Sequence, residues 1–295
     1  MRGVYFIAND RIIDLAIAFL NSFRKYNPSI PLCLIPYNSA YSELGNLQEK
    51  YNFTIFTNKE ALLECDEASS RFHDHVVGQY RKIAMWEGEF SEFVYIDVDT
   101  VVLGNIEFAF EYLNDYDIVV SQSNDPGLRE WVWKDTIYQT GKLSLEQIEF
   151  SANTGFICSK QGKIPRAALR DKLNAAVELA PHMELSCTEQ PLLNYLIVTS
   201  GLRITSLGVL RQKYRETPTE VWAGSKAITI IKGRAFQRWP EAPIFLMHWA
   251  GKWQPNDRDR KRSALLNKFG LDRIPSPISH YMPYKSLWKY YRYLA

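Results

Sequence analysis

The sequence predicts an α/β fold: a Rossmann-like, mostly parallel sheet with flanking helices and a C-terminal helical tail. Three observations carry that prediction. Strand-like and helix-like segments alternate through short connections in the N-terminal part of the chain, the pattern of a parallel sheet. The run Phe93-Val94-Tyr95-Ile96 is apolar throughout, as a strand covered on both faces must be. The chain has 295 residues, 46% hydrophobic and 23% charged, which fits an ordinary soluble protein with one large domain or a domain with an appendage.

In order, Val4 to Ala8 reads as the first strand, and Asn9-Asp10 as the cap of a helix. In that helix Ile12, Ile13, Ala16, Phe19, Leu20 and Phe23 recur at helical spacing until Asn27-Pro28. Pro31 to Ile35 is a second strand, 44–51 a helix, and Phe53 to Phe56 a third strand. No GxGxxG follows the first strand, so the usual dinucleotide fingerprint is absent. Residues 65–78 read as a polar surface loop holding His73-Asp74-His75, a pair that could bind metal but has no evident third ligand. A helix over about 79–90, with Tyr80, Ile83, Trp86 and Phe90 on one face, delivers the chain to the central strand. Ile118 to Ser121 is another strand. Residues 122–150, with Trp131 and Trp133, form a long irregular connection, the usual form of a binding lid or insert. A polar turn at 151–155 leads into an apolar strand; Arg166 to Leu179 and Glu189 to Val198 are helical; Ile228 to Ile231 and Ile244 to Met247 are late strands.

A net charge of +2 argues against bulk nucleic-acid binding. Cys33, Cys65, Cys158 and Cys187 make no CxxC pair, which argues against structural zinc and for a reducing, cytoplasmic setting. The first apolar stretch is broken by Asn9, Asp10, Arg11 and Asp14, unlike a signal peptide, and no uncharged run is long enough to span a bilayer.

The chemistry concentrates after the central strand. In extended backbone, residues two apart point to the same side, so Asp97 and Asp99 could grip one cation together; the alternative is an acidic strand-to-turn junction. Ligand sites in α/β sheets lie beyond the carboxyl ends of strands, where this pair falls. His248 leaves its strand in the same way, as a ligand or as a structural hydrogen bonder. From Arg273 onward there is no Asp or Glu, while Lys285, Lys289 and Arg292 alternate with Tyr284, Trp288, Tyr290, Tyr291 and Tyr293. That composition suits either a bilayer interface or a helix docked on its own domain.

Taken together these stretches resemble glycosyltransferase family 8, the retaining GT-A enzymes that include glycogenins and bacterial galactosyl- and glucosyltransferases. The similarity runs from Val4 to about Trp253. Lys82-Ile83-Ala84-Met85-Trp86 followed by Tyr95-Ile96-Asp97-Val98-Asp99-Thr100 is similar to the family's central block with its DxD motif. Asn153-Thr154-Gly155 resembles its Asn-Ser-Gly turn, Glu189-Gln190 with Leu193-Asn194 its Asp-Gln-x-x-Leu-Asn segment, and His248-x-x-Gly251 its final His-x-x-Gly. Glu189 stands where the family has Asp, and the lysine of its Lys-Pro-Trp ending arrives two positions early, as Lys252.

The resemblance implies a GT-A domain over 1–255 with a basic, aromatic extension over 256–295. It implies a hexosyltransferase with a nucleotide-sugar donor, UDP-glucose or UDP-galactose, and Mn²⁺ (Mg²⁺ as substitute) held by Asp97, Asp99 and His248. Mixed carboxylate and imidazole ligation leans toward Mn²⁺. Ala8, Asn9 and Asp10 would line the nucleoside pocket, and Lys82, Gly251 and Lys252 would meet the diphosphate. Asn153, Glu189 and Gln190 would face the sugar, with Glu189 or Gln190 nearest to a nucleophile's place. The acceptor would be a glycan, a lipid-linked glycan or a protein; separately, the tail's composition allows a contact with the inner membrane face beside packing on its own domain. Two rivals stand beside this reading. One is a non-catalytic nucleotide-sugar-binding relative. The other is a haloacid-dehalogenase-type phosphatase, whose motif Asp97-Val98-Asp99-Thr100-Val101 also satisfies, although no later acidic pair such as GDxxxD follows and three strands precede it.

Overall fold

The structure is a computed structural model that describes residues 1–223, 228–231, 234–238, 241–249 and 282–294. The chain forms two compact units. The first comprises Met1–Ile13, Ser29–Asp97 and Ile106–Tyr214; the second comprises Asp14–Pro28, Val98–Asn105 and Arg215–Ala295.

The first unit is built on a seven-stranded sheet. Its strands are β1 (Arg2–Ala8), β2 (Leu32–Pro36), β3 (Phe53–Ile55), β4 (Glu92–Ile96), β6 (Ile118–Val120), β7 (Phe156–Lys160) and β8 (Ile204–Ser206), after which β5 (Thr100–Val102) is left to the second unit. The order is β3-β2-β1-β4-β7-β6-β8. Pairs β3–β2, β2–β1, β1–β4 and β6–β8 are parallel, and only β7 runs against its neighbours β4 and β6. The mostly parallel α/β sheet is therefore the observed one. Val4 to Ala8 are all buried, consistent with cover on both faces.

Several local expectations change in detail. Residues 65–73 are not loop but the end of a helix, Lys59–His73, whose Ala61, Cys65, Ala68 and Phe72 are buried at helical spacing. Asn58 caps it by accepting from Ala61 N at 3.1 Å, and Asp74 closes it in the left-handed region at φ 58. The segment before β4 is a 3-10 helix, Gly78–Glu87, rather than an α-helix over 79–90. It starts at glycine because a Cβ on residue 78 would lie 2.1 Å from the Tyr37 carbonyl oxygen. The expected helix over 44–51 is two single turns, Ser42–Gly45 and Gln48–Tyr51. Asn9 makes no side-chain cap to the first helix. Asp10 instead accepts from the backbone N–H of Glu43 at 3.2 Å and Leu44 at 2.9 Å, at the start of the Ser42–Gly45 turn. The 122–150 connection contains three short helical turns, Pro126–Arg129, Asp135–Thr140 and Leu145–Phe150. Trp133 is buried within it, bridged to Met183, while Trp131 is exposed.

The second unit holds a sheet of order β10-β11-β12-β5, from β10 (Ile228–Ile231), β11 (Arg234–Arg238), β12 (Glu241–His248) and β5, with β9 (Thr219–Trp222) also on β12. The helix Ile13–Tyr26, most of which belongs here, is tied to β5: Ser22 Oγ accepts from Val102 N at 3.0 Å. The tail helix Met282–Arg292 docks on the same helix. Buried Asn21 donates to the carbonyls of Tyr291 at 2.8 Å and Leu294 at 3.0 Å, and Arg292 Nε donates to Asp14 at 2.8 Å. Trp288 and Tyr291 are buried in that contact, whereas Lys289, Tyr290 and Tyr293 face solvent. A boundary near 255 falls outside the described residues. Among the described residues, no helix is long and apolar enough to cross a membrane.

Candidate functional site

In the first unit the site grows from the ends of β4 and β7. Their antiparallel register pairs Ile96 with Phe156, so the residue after β4 meets the turn before β7. Asp97 N donates to Gly155 O at 2.9 Å, and Tyr95 OH donates to the Asp97 carboxylate at 2.5 Å. Lys82, carried by the 3-10 helix and 2% exposed, extends its ammonium into this corner. Its Nζ lies 2.6 Å from Glu189 Oε1, 3.1 Å from Asp97 Oδ1 and 3.3 Å from Thr154 O. Burial alone would push the ammonium's pKa down; the Asp97 and Glu189 carboxylates outweigh it and hold the pKa above the ordinary lysine range. The pair is costly to desolvate, so losing either partner would leave a buried charge.

Around this pair the sugar-facing candidates converge. Thr154 Oγ1 donates to Glu189 Oε1 at 3.3 Å, and Thr154 N donates to Gln190 Oε1 at 3.3 Å. Gln190 Nε2 donates to Trp131 O at 3.1 Å, which tethers it to the 122–150 connection. Asn153 folds back on its own turn, accepting from Gly155 N at 2.7 Å. Asn194, on the helix Gln190–Val198, accepts from Ala152 N at 2.6 Å and donates to Ala152 O at 3.0 Å. This double bond fixes the turn to the helix that carries Gln190. Ala8 and Asn9 are buried at the end of β1, and Asp10 is engaged with the Ser42–Gly45 turn.

In the second unit, register places the imidazole. His248 pairs with Thr100 across β12 and β5, and Trp249 N donates to Asp99 O at 2.8 Å. His248 Nε2 then lies 3.1 Å from Asp99 Oδ1. On its other side Nδ1 lies 2.6 Å from Glu220 Oε1, on β9, which runs beside β12. Burial opposes a charged imidazole, but Asp99 and Glu220 hold its pKa well above the usual value. Glu220 was not evident from the sequence: a single acidic residue in a four-residue strand carries no motif, and only its burial marks it. A carboxylate behind a histidine is the arrangement that orients an imidazole toward a metal.

Only Val98 separates Asp97 from Asp99, so the chain itself keeps the two carboxylates together. Asp97, Asp99 and His248 each offer one ligand atom, all within 4.8 Å of one another. Two carboxylates and one imidazole, the imidazole oriented by the third carboxylate of Glu220, make a donor set that fits a divalent cation of intermediate hardness. Among the described residues, His73 and His75 belong to no group of three metal-ligating side chains. Gly251 and Lys252 lie outside the described residues.

The fold has solved counterparts. It is similar to the bifunctional glycosyltransferase WbbM in its apo form, with TM-score 0.56 and 12% identity over 99% of this chain and 52% of that one. It is similar to the galactosyltransferase LgtC in complex with donor and acceptor sugar analogues, with TM-score 0.54 and 12% identity over 95% of this chain and 99% of that one. An active-site mutant of LgtC gives TM-score 0.57 and 12% identity over 95% and 100%. The chain thus spans about half the length of WbbM and the whole of LgtC. No family model matches the sequence, and no curated protein matches it. At this identity the likeness speaks for architecture alone, and the architecture is the GT-A fold.

Proposed function

We propose that this chain is a glycosyltransferase of the family 8 type, moving a hexose from UDP-glucose or UDP-galactose to a glycan, lipid-linked glycan or protein acceptor with retention at the anomeric carbon. The observation that supports the reading is that Asp97, Asp99 and His248 each offer a ligand atom within 4.8 Å of the others. Support comes from the GT-A fold shared with LgtC, whose structure holds donor and acceptor sugar analogues. Asp97, Asp99 and His248 would hold Mn²⁺, with Mg²⁺ as substitute, and Glu220 would orient the imidazole. When bound, the cation supplies Lewis-acid stabilisation of the charge that builds on the departing diphosphate.

The remaining roles belong to the chain's own groups. Ala8, Asn9 and Asp10 would line the nucleoside side. Lys82, held between Asp97 and Glu189, would balance their charge at the donor end, where Gly251 and Lys252 would meet the diphosphate. Asn153, Glu189 and Gln190 would surround the sugar. Gln190, held through both amide atoms by Thr154 and Trp131, presents a pre-set dipole to the anomeric centre. Buried Glu189, neutralised by Lys82, fixes that wall of the site.

The test is turnover. Purified protein with Mn²⁺ and a panel of UDP-sugars should release UDP from one donor, and Asp99→Ala should lower the rate by at least about a hundredfold. Binding of a donor with no turnover under any acceptor would instead support a silent nucleotide-sugar-binding protein.

A further inference from the structure

Thr188 stands just before Glu189-Gln190 with φ 54 and ψ −109. A β-branched residue pays a steric penalty there, and such conformations persist only where the surroundings impose them. The Thr188 carbonyl accepts from Tyr80 OH at 3.0 Å, and the Thr188 hydroxyl donates to Glu189 Oε2 at 2.6 Å. Tyr80 is completely buried, two residues before Lys82 on the same 3-10 helix. Its hydroxyl has a second partner, His73 Nε2, also at 3.0 Å, and the two rings meet edge to face. The proton arrangement follows from valence. The Thr188 carbonyl can only accept, so the single phenolic proton of Tyr80 goes to it. The hydrogen between His73 and Tyr80 must then sit on His73 Nε2. The chain of bonds thus runs in one direction, from the end of the helix Lys59–His73 to the backbone of Thr188.

We propose that His73 and Tyr80 are positioning residues for sugar transfer, locking the left-handed backbone at Thr188 and so setting Glu189 against Lys82 and Gln190 against Thr154. The role rests on the transferase reading, but its geometry does not. A tyrosine kept only for packing needs no particular acceptor. Here the acceptor is the carbonyl of Thr188, whose strained backbone directly precedes Glu189-Gln190. Without the Tyr80 proton, Thr188 is free to relax toward negative φ and to turn the following two side chains.

Two variants test this, each assayed for UDP release from UDP-glucose and UDP-galactose with Mn²⁺ and each solved by crystallography. Tyr80→Phe keeps the ring and removes the hydroxyl. The expected result is a Thr188 φ moved out of the left-handed region, with kcat lower by about tenfold to a hundredfold and donor KM within about twofold. His73→Leu should lower kcat in the same direction, and His73→Gln, which keeps an N–H donor, should recover most of that loss. A Tyr80→Phe structure with Thr188 unchanged overturns the proposal, as does a moved Thr188 with unchanged kcat. Should Tyr80→Phe fail to fold, equal kcat for His73→Leu and wild type overturns it alone. Wild-type protein inactive with both donors would refute the transferase reading, a result distinct from active wild type with indifferent variants.

Discussion

Glu220 illustrates how a single buried carboxylate outside any motif can bear on the chemistry. Its Oε1 holds His248 Nδ1, while among the described residues its buried Oε2 has no hydrogen-bond partner. Burying a carboxylate in this way is costly, and in the proposed function its Oε1 would orient the imidazole that holds the cation. Glu220→Gln should therefore weaken Mn²⁺ affinity by about tenfold to a hundredfold, measured by titration calorimetry, with little change in thermal stability. Unchanged affinity would reduce Glu220 to a packing role. At this scale the sequence was legible where residue types repeat at a telling spacing, as in Asp97 and Asp99, or follow a strand, as in His248. It was not legible for Glu220, or for Thr188, whose backbone is imposed by Tyr80 from more than a hundred positions away.

Secondary-structure elements are held in place by polar groups at their ends. Asp117, just before β6, joins three segments of the first unit. Its carboxylate meets Lys163 Nζ at 2.8 Å and accepts from Arg203 N at 3.0 Å. Lys163 and the Arg203 N–H, against a smaller effect of burial, hold its pKa at about 2. Because this pKa is depressed in the folded state, the stability it confers is complete above the unfolded value of about 4 and is lost as pH falls through about 2. Water around the part-exposed Lys163 screens the pair, so the contribution is about 1 kcal/mol, and Asp117→Asn should lose a similar amount at pH 7 and flatten the acid limb of a urea-melt series. A parallel pair of pH–stability curves would contradict it. Elements with long apolar periodicity, such as Arg166–Leu179, were readable to the residue. The helix Lys59–His73 is hidden in the sequence because the polar stretch 65–78 reads as loop, while its buried face includes small residues such as Cys65 and Ala68. Gly78–Glu87 shows the reverse: its aromatic face suggested an α-helix, and local crowding at Gly78 accompanies tighter coiling.

On the scale of the whole molecule, the run 93–102 looks continuous in sequence yet serves two sheets. β4 ends at Ile96 in the first unit, and β5 begins at Thr100 in the second, with Asp97-Val98-Asp99 between them. Apolar content cannot reveal that division, since both strands are equally buried. The tail likewise had two readings, and the docked helix accounts for Trp288 and Tyr291. Its outward residues Lys289, Tyr290 and Tyr293 keep the other reading open to experiment. Replacing all three with serine should reduce co-sedimentation with vesicles containing anionic lipid while leaving the melting temperature within a few degrees. Equal partitioning would exclude a membrane role for this face. The account as a whole turns on one cation. Crystals soaked with MnCl₂ and UDP, measured at the manganese absorption edge, should show a single strong anomalous peak in contact with Asp97, Asp99 and His248 Nε2. A peak elsewhere, or none while UDP is bound, would contradict it.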